Sequence, residues 1–184
     1  MLTQSLRSIF ISMTLLFSSS LALATPAQIL IIRHGEKPAV GNQLSPRGWQ
    51  RARALVQYFE TNKAVTQYGT PIAIYAMKQD GVDGSVRPIQ TVTPLAQDLG
   101  KDVKTPYLRD DYAQLVKDIL ADRSLDGKMV LICWEHKVIP GMAYAFGVRP
   151  QPADWSGSDF DTVFEINFSG NQVSSFKTFP EGLN

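Results

Sequence analysis

Several common features are scarce in this 184-residue sequence, and each scarcity excludes a class of protein. The single cysteine, Cys133, excludes an internal disulfide, and its position in an apolar run indicates a buried thiol rather than a nucleophile. The 18 basic and 17 acidic residues nearly balance, so nothing indicates a nucleic-acid or anionic-membrane partner. No low-complexity linker, charge block or internal repeat divides the chain. We therefore expect one domain over residues 25–184.

The amino-terminal segment has the features of an export signal. Residues 1–24 contain one charge, Arg7, an apolar centre over residues 9–17, and then the small residues 22–24 in an A-x-A arrangement. This predicts a signal peptide over residues 1–24 and a periplasmic or secreted mature protein that begins near Thr25. The apolar centre is shorter than the roughly 20 residues that span a bilayer, so no stable membrane insertion is expected after cleavage. A retained anchor is the alternative.

Strand-like and helix-like segments alternate from residue 25 onward, which predicts an α/β fold. The expected architecture is a three-layer α/β/α sandwich with a mostly parallel central sheet and an antiparallel C-terminal hairpin. Strands are predicted at residues 28–33, at 71–77, near Val103, at 129–134, and in a hairpin at 160–168 and 172–179. Helices are predicted from Pro46, from Pro88, through residues 112–120, and after Pro140 and Gly141.

The first predicted helix has a clear start and a clear apolar face. Ser45 suits the N-cap position, and Pro46 suits the first helical turn. The apolar stripe is formed by Trp49, Ala52, Leu55, Val56 and Phe59. Arg51 should fall outside this stripe or at its edge.

Histidine is also scarce, and both histidines follow apolar runs. His34 comes soon after residues 29–32, and His136 soon after residues 129–134. In open α/β sheets, ligands bind outside the carboxyl ends of the strands. If these two strands are neighbours, both imidazoles can face one cavity although 102 positions separate them. Either histidine taken alone is equally well explained as a loop residue.

Two arginines strengthen the case for an anion site. Arg33 directly precedes His34, and Pro88 disfavours helical geometry at Arg87, which should place Arg87 at the start of a helix. A guanidinium at a helix N-terminus can hold phosphate oxygens through two parallel hydrogen bonds. An isolated arginine in this position is usually a surface residue. Its significance here comes from the other basic groups at the same edge of the sheet.

Four motifs in this order resemble the histidine phosphatase superfamily, also called phosphoglycerate mutase-like. They are R-H-G-E at residues 33–36, L-S-P-R-G-W-Q-R-A at 44–52, S-x-R-x-x-Q-T at 85–91, and His136 after a later strand. The resemblance spans residues 28–147. It implies a phosphoenzyme mechanism in which His34 is the nucleophile, Arg33, Arg87 and His136 bind the phosphate oxygens, and neither a metal nor another cofactor is required.

The family also needs a proton donor for the leaving group, and three carboxylates are candidates. Asp110 and Asp111 match one location found in the family, although the pair also suits a helix N-cap. Glu135 precedes His136, where some relatives instead have a carboxylate after the histidine and this chain has Lys137. Strand alternation would turn Glu135 away from His136 unless the chain bends there.

These residues predict an exported, metal-independent phosphomonoesterase that acts through a phosphohistidine on His34. Its partner would be a small-molecule phosphoester or a phosphoprotein. Alternatives are a protein phosphohistidine phosphatase and a non-catalytic relative that binds phosphate or a phosphoester; a mutase is less favoured. Two further segments, residues 78–84 and 155–161, suit either substrate contact or ordinary surface and sheet-edge packing.

Overall fold

The computed structural model describes residues 25–183, so the predicted signal peptide lies outside the described residues. A single sheet has the strand order β3-β2-β4-β1-β5-β6. Its strands are β1 (Gln28–Arg33), β2 (Ala73–Ala76), β3 (Val103–Lys104), β4 (Met129–Trp134), β5 (Thr162–Ser169) and β6 (Gln172–Pro180). The helices are α1 (Pro46–Thr61), α2 (Arg87–Asp98), α3 (Tyr112–Ala121) and α4 (Ile139–Ala145).

The direction of the strands confirms the predicted sheet. Strands β1 to β4 pair in parallel, whereas β5 pairs antiparallel with β1, and β6 pairs antiparallel with β5. The two central strands, β1 and β4, are buried along their whole length, as expected for continuous aliphatic runs covered on both faces. The carboxyl ends of these two neighbours lie side by side.

Helices cover both faces of the sheet, which confirms the three-layer architecture. On one face, Ile31 and Ile132 pack in a core cluster with Leu115 of α3 and Met142 of α4. On the other face, residues of the same strands pack with apolar residues of α1 and α2. Successive residues of each central strand therefore supply two separate cores. Cys133 is fully buried in the second core, as predicted.

Several element boundaries differ from those predicted. Strand β2 is shorter than residues 71–77, and α2 begins one residue before Pro88. Helix α4 begins at Ile139, before Pro140 rather than after it. A proline is tolerated in the first turn of a helix because the N–H groups there have no partner within the helix. Strand β5 begins at Thr162 rather than at Phe160, whose ring packs on the Arg33 guanidinium. Within residues 25–183, no helix is long and apolar enough to cross a membrane.

Helix α1 starts where it was predicted and packs closely on the loop after β1. Ser45 caps the helix, because its Oγ accepts a hydrogen bond from the Gly48 N–H at 3.1 Å. A Cβ built on Gly48 would lie 2.5 Å from the carbonyl oxygen of Glu36, and a Cβ on Gly35 would lie 3.1 Å from the Gly48 Cα. The two glycines therefore allow the helix to approach the chain that carries His34.

We expect Gly48→Ala to lower the free energy of unfolding by about 1–3 kcal/mol, because the added methyl group overlaps backbone that cannot move freely. Urea unfolding monitored by circular dichroism measures the change. Arg53→Ala, on the exposed side of the same helix, is the control and should stay within about 0.5 kcal/mol of the parent. Equal stability of the Gly48 variant and the parent would contradict the close packing.

Candidate active site

The register of β1 and β4 brings the two histidines to neighbouring strand ends. Arg33 lies opposite Trp134 in the parallel ladder, and the His34 N–H continues the pairing by donating to the Trp134 carbonyl at 3.2 Å. His136 follows two residues after Trp134 on the adjacent strand. The condition that these two strands be neighbours is therefore met, and one edge of the sheet presents both imidazoles.

The His34 ring has one nitrogen occupied and one available. Its Nδ1 lies 2.7 Å from the carbonyl oxygen of Gly35, which can only accept, so the proton is assigned to Nδ1. Burial lowers the pKa of His34 to about 4; the bond to Gly35 opposes this shift, and the charges of Arg33, Arg87 and His136 add to it. At neutral pH the ring is uncharged, and Nε2 has a free lone pair.

A threonine on α2 fixes the backbone beside His34. The Gly35 N–H donates to Thr91 Oγ1 at 2.8 Å, and the Thr91 hydroxyl donates to the Arg87 carbonyl at the same distance. Thr91 is fully buried. It belongs to the S-x-R-x-x-Q-T motif, but no local pattern indicated this role.

Arg87 is the first residue of α2, at the junction where it was predicted. Its guanidinium donates to the backbone carbonyls of Gly41 and Gln43 and to the Ser85 hydroxyl, so two loops hold it in place. It lines an open cavity of about 470 Å³ together with Asp83. The charge of Arg87 also contributes to the lowered pKa of His34.

Arg33 is held by a loop that lies far away in sequence. Its Nη1 donates to the backbone carbonyls of Ser156, Gly157 and Asp159, at 3.3, 2.9 and 2.6 Å. The Phe160 ring centroid lies 3.7 Å from the guanidinium carbon and 6.1 Å from the His34 ring centroid. Arg33 Nε is buried and has no hydrogen-bond partner among the described residues. A fixed cation with a free buried donor suits an anionic ligand.

Glu135 turns back onto His136 because β4 ends at Trp134, before strand alternation can direct its side chain away. Its Oε1 lies 2.7 Å from His136 Nδ1, and its Oε2 accepts from the Lys137 N–H at 3.1 Å. Burial lowers the pKa of His136, Arg33 lowers it further, and Glu135 opposes both effects. Glu135 therefore has an ion-pair partner within the site.

The other two candidate acids lie in a short 3-10 turn, Arg109–Asp111, beside a cavity of about 500 Å³. Asp110 forms a double hydrogen bond with Arg109, at 3.0 and 2.9 Å, and this bonding lowers its pKa. Asp111 occupies the N-cap position of α3 but makes no capping hydrogen bond. Within residues 25–183 it also has no ion pair. Of the two, Asp110 is therefore engaged by an arginine and Asp111 is not.

A buried arginine on α1 joins the loops around the site. Arg51 donates to Glu36 at 3.0 Å, to Asp161 at 3.0 Å and to Glu181 at 2.7 Å. Glu36 follows the segment of His34, and Asp161 follows Phe160. Burial raises the pKa of Glu181 to about 8, which Arg51 opposes. The helical pattern put Arg51 outside or at the edge of the apolar stripe, and no local signal revealed its acidic partners.

The predicted site residues thus separate into two groups. Arg33, His34, Arg87 and His136 act electrostatically on one another at the ends of β1 and β4 and the start of α2. Asp110 and Asp111 line the cavity near Ser85, which also contacts Arg87. The roles assigned to these residues remain predictions. No group of three or more metal-binding side chains occurs in the part of the chain that the structure describes.

No protein-family model matches the sequence, and no curated protein matches it either. Solved structures do match. A mycobacterial glucosyl-3-phosphoglycerate phosphatase is 13% identical with a TM-score of 0.57, and the match covers 84% of this chain and 97% of that one. The protein histidine phosphatase SixA complexed with tungstate is 14% identical with a TM-score of 0.56, at the same coverage of both chains.

A phosphoserine phosphatase mutant from Entamoeba histolytica, in complex with phosphoserine, is also similar. It is 14% identical with a TM-score of 0.54, and the match covers 81% of this chain and 95% of that one. The chain therefore has the histidine phosphatase fold, which confirms the predicted fold class. At these identities the likeness establishes the fold alone.

We expect the pKa of His34 to lie near 4, and Phe160→Ala to raise it by about one pH unit, because removal of the ring admits water to the imidazole. NMR titration of the ring resonances measures both values, and only two histidines need assignment. Phe176→Ala removes an aromatic ring that packs on Phe164 and is the control. A His34 pKa near its ordinary value of about 6.5 would contradict the buried, cation-flanked environment.

Proposed function

We propose that this chain is an exported, metal-independent phosphomonoesterase that forms a phosphohistidine on His34. One observation carries the proposal: a buried, uncharged imidazole with a free Nε2 lies in the field of Arg33, Arg87 and His136. A nucleophile needs that lone pair, whereas a pure anion-binding site needs only donors. The solved structures with this fold include phosphatases, which is consistent with the proposal.

The first step transfers the phosphoryl group to the protein. Nε2 of His34 attacks phosphorus, a P–N bond forms, and the bond from phosphorus to the leaving oxygen breaks. Arg33, Arg87 and protonated His136 neutralise the non-bridging oxygens, and fixed cations in a partly dry site supply this stabilisation without reorganisation. The leaving oxygen takes a proton from a carboxylic acid, a role we assign to Asp111 because Asp110 and Glu135 are paired with Arg109 and His136.

The second step releases phosphate. Water attacks phosphorus on the phosphohistidine, the P–N bond breaks, and the Asp111 carboxylate accepts the proton from water. His34 regains its free Nε2, and Asp111 regains its proton, so both residues return to their starting states. The Nδ1 hydrogen bond to Gly35 keeps the ring in one tautomer throughout the cycle.

The substrate we propose is a small phosphomonoester. The cavity of about 500 Å³ between the end of β2 and the turn at Arg109–Asp111 has room for a modest leaving group. Its lining is mixed in charge, with Lys78 and Asp80 among the residues that reach it. A protein phosphohistidine substrate is the second candidate, because the fold is shared with a protein histidine phosphatase.

Export is proposed from residues 1–24, which lie outside the described residues. Cell fractionation followed by mass measurement of the isolated protein tests this part. A mature chain that starts near Thr25 in an extracytoplasmic fraction is expected. A full-length chain retained in the cytoplasm would contradict export without affecting the chemistry proposed for His34.

His34→Ala should lower kcat/KM for p-nitrophenyl phosphate by about 10³-fold or more, since it removes the nucleophile that forms the phosphoenzyme. Incubation with a ³²P-labelled phosphoester, followed by a rapid quench, should leave an acid-labile, base-stable label on the parent and none on His34→Ala. A chelator such as EDTA should leave the activity unchanged. Phosphate binding without turnover at any pH would instead favour a non-catalytic binding protein.

Asp111→Asn should slow cleavage of an alkyl phosphate by about 10²-fold or more, because the alkoxide must be protonated as it leaves. Cleavage of p-nitrophenyl phosphate should fall much less, since its leaving group needs little assistance. Asp110→Asn is the matched control, because its carboxylate is already paired with Arg109. A greater loss in the control than in Asp111→Asn would reverse the assignment.

A further inference from the structure

We propose that Glu135 is a positioning residue for His136: its carboxylate lies against Nδ1 of the ring as an ion-pair partner and stabilises the imidazolium that forms when a phosphate dianion binds. This proposal rests on the function proposed above. It assigns Glu135 a role different from proton donation to the leaving group.

The geometry fixes both partners of this pair. The distance from Glu135 Oε1 to His136 Nδ1 is 2.7 Å, and the two side chains are only 17% and 13% exposed. The second carboxylate oxygen is held by the Lys137 N–H at 3.1 Å, so neither oxygen is free to follow a substrate. A carboxylate this close to one ring nitrogen of a histidine stabilises the charged form of the ring.

The opposite ring nitrogen of His136, Nε2, lies next to Gly157. A Cβ built on Gly157 would lie 3.7 Å from His136 Nε2, and the carbonyl of Gly157 accepts a hydrogen bond from Arg33. Nε2 therefore lies beside the loop that immobilises the Arg33 guanidinium. Because the Glu135 carboxylate lies against Nδ1, Nε2 is the nitrogen that can meet a phosphate oxygen.

Most of the groups around His136 disfavour its protonated form, and Glu135 favours it. Burial and the cations Arg33, Lys137 and Lys37 all lower the pKa of His136, and Glu135 is the group that raises it. His34, which faces the same space, is uncharged at neutral pH. In the free protein the balance of these effects keeps the pKa of His136 below its ordinary value.

Phosphate binding changes this balance. A phosphate dianion beside Nε2 places negative charge at the second ring nitrogen, and an opposite charge at hydrogen-bond distance favours the protonated ring. His136 then takes one proton from solvent on Nε2 and forms no covalent bond. The imidazolium donates to Glu135 through Nδ1 and to the phosphate through Nε2. Binding of the dianion is thereby linked to uptake of one proton.

NMR titration of ¹⁵N-histidine in the purified protein tests this linkage, with inorganic phosphate as the probe. In the parent, phosphate should raise the pKa of His136 by about one pH unit or more. Glu135→Gln should lower the pKa of His136 in the free protein, reduce its phosphate-induced rise, and weaken phosphate binding about 10-fold at neutral pH. Glu60→Gln, an exposed carboxylate on α1, is the control.

Activity measurements separate positioning from proton donation. As a positioning residue, Glu135 should contribute equally to cleavage of p-nitrophenyl and alkyl phosphates, so Glu135→Gln lowers both rates by the same factor. In a His136→Asn background the same substitution should have almost no further effect, because its partner is already absent. A selective loss on alkyl phosphates would identify Glu135 as the acid and overturn the proposal.

The NMR experiment does not depend on catalytic activity. An unchanged pKa of His136 in a folded Glu135→Gln protein, in free and phosphate-bound forms, would also overturn the proposal. If the parent protein binds phosphate but shows no turnover, the proposed enzyme function fails, whereas the response of His136 still decides the role of Glu135. If phosphate leaves the His136 signal of the parent unchanged, the proton-uptake mechanism itself is refuted.

Discussion

The parallel pairing of β1 with β4 is the constraint on which the candidate site depends. Because Arg33 lies opposite Trp134, the chain leaves both strands at the same level, and His34 and His136 emerge at one edge. A shift of register by one residue would exchange the two faces of a strand, moving Ile31 out of one core and into the other. The two buried cores that fix this register therefore also fix the separation of the imidazoles.

A buried cluster of ion pairs around Arg51 connects the loops that leave this edge of the sheet. Arg51 binds Glu36 in the loop after β1, Asp161 before β5, and Glu181 after β6. The loop ending at Phe160 in turn holds the Arg33 guanidinium through backbone carbonyls and an aromatic ring. Removing a single partner from such a buried cluster would leave charges unpaired, so the cluster favours one arrangement of these loops. The cations of the site are thereby held in place before any ligand arrives.

The electrostatics of the site follow from how its charges are distributed. Burial, and to a smaller extent the charges of Arg33, Arg87 and His136, keep the His34 imidazole uncharged, which leaves Nε2 available for attack. Negative groups are present but engaged: Glu36 with Arg51, Asp110 with Arg109, and Glu135 with His136. The balanced net charge of the chain thus hides a local cluster of cationic groups, and an anionic ligand there would also meet the buried Arg33 Nε–H.

The sequence alone determined the elements and the cationic candidates, since these depend on local chemistry. Aliphatic runs indicated β1 and β4, Ser45 and Pro46 marked the start of α1, and the motif residues singled out His34, Arg87 and His136. Only the tertiary structure decided what depends on contacts between distant segments: the burial of Arg51 among three carboxylates, the loop carbonyls and Phe160 around Arg33, and the turn of Glu135 onto His136. Local patterns record which face of an element is apolar. They contain no information about which distant backbone or carboxylate a buried charge will meet, because that partner is selected by the packing of the whole chain.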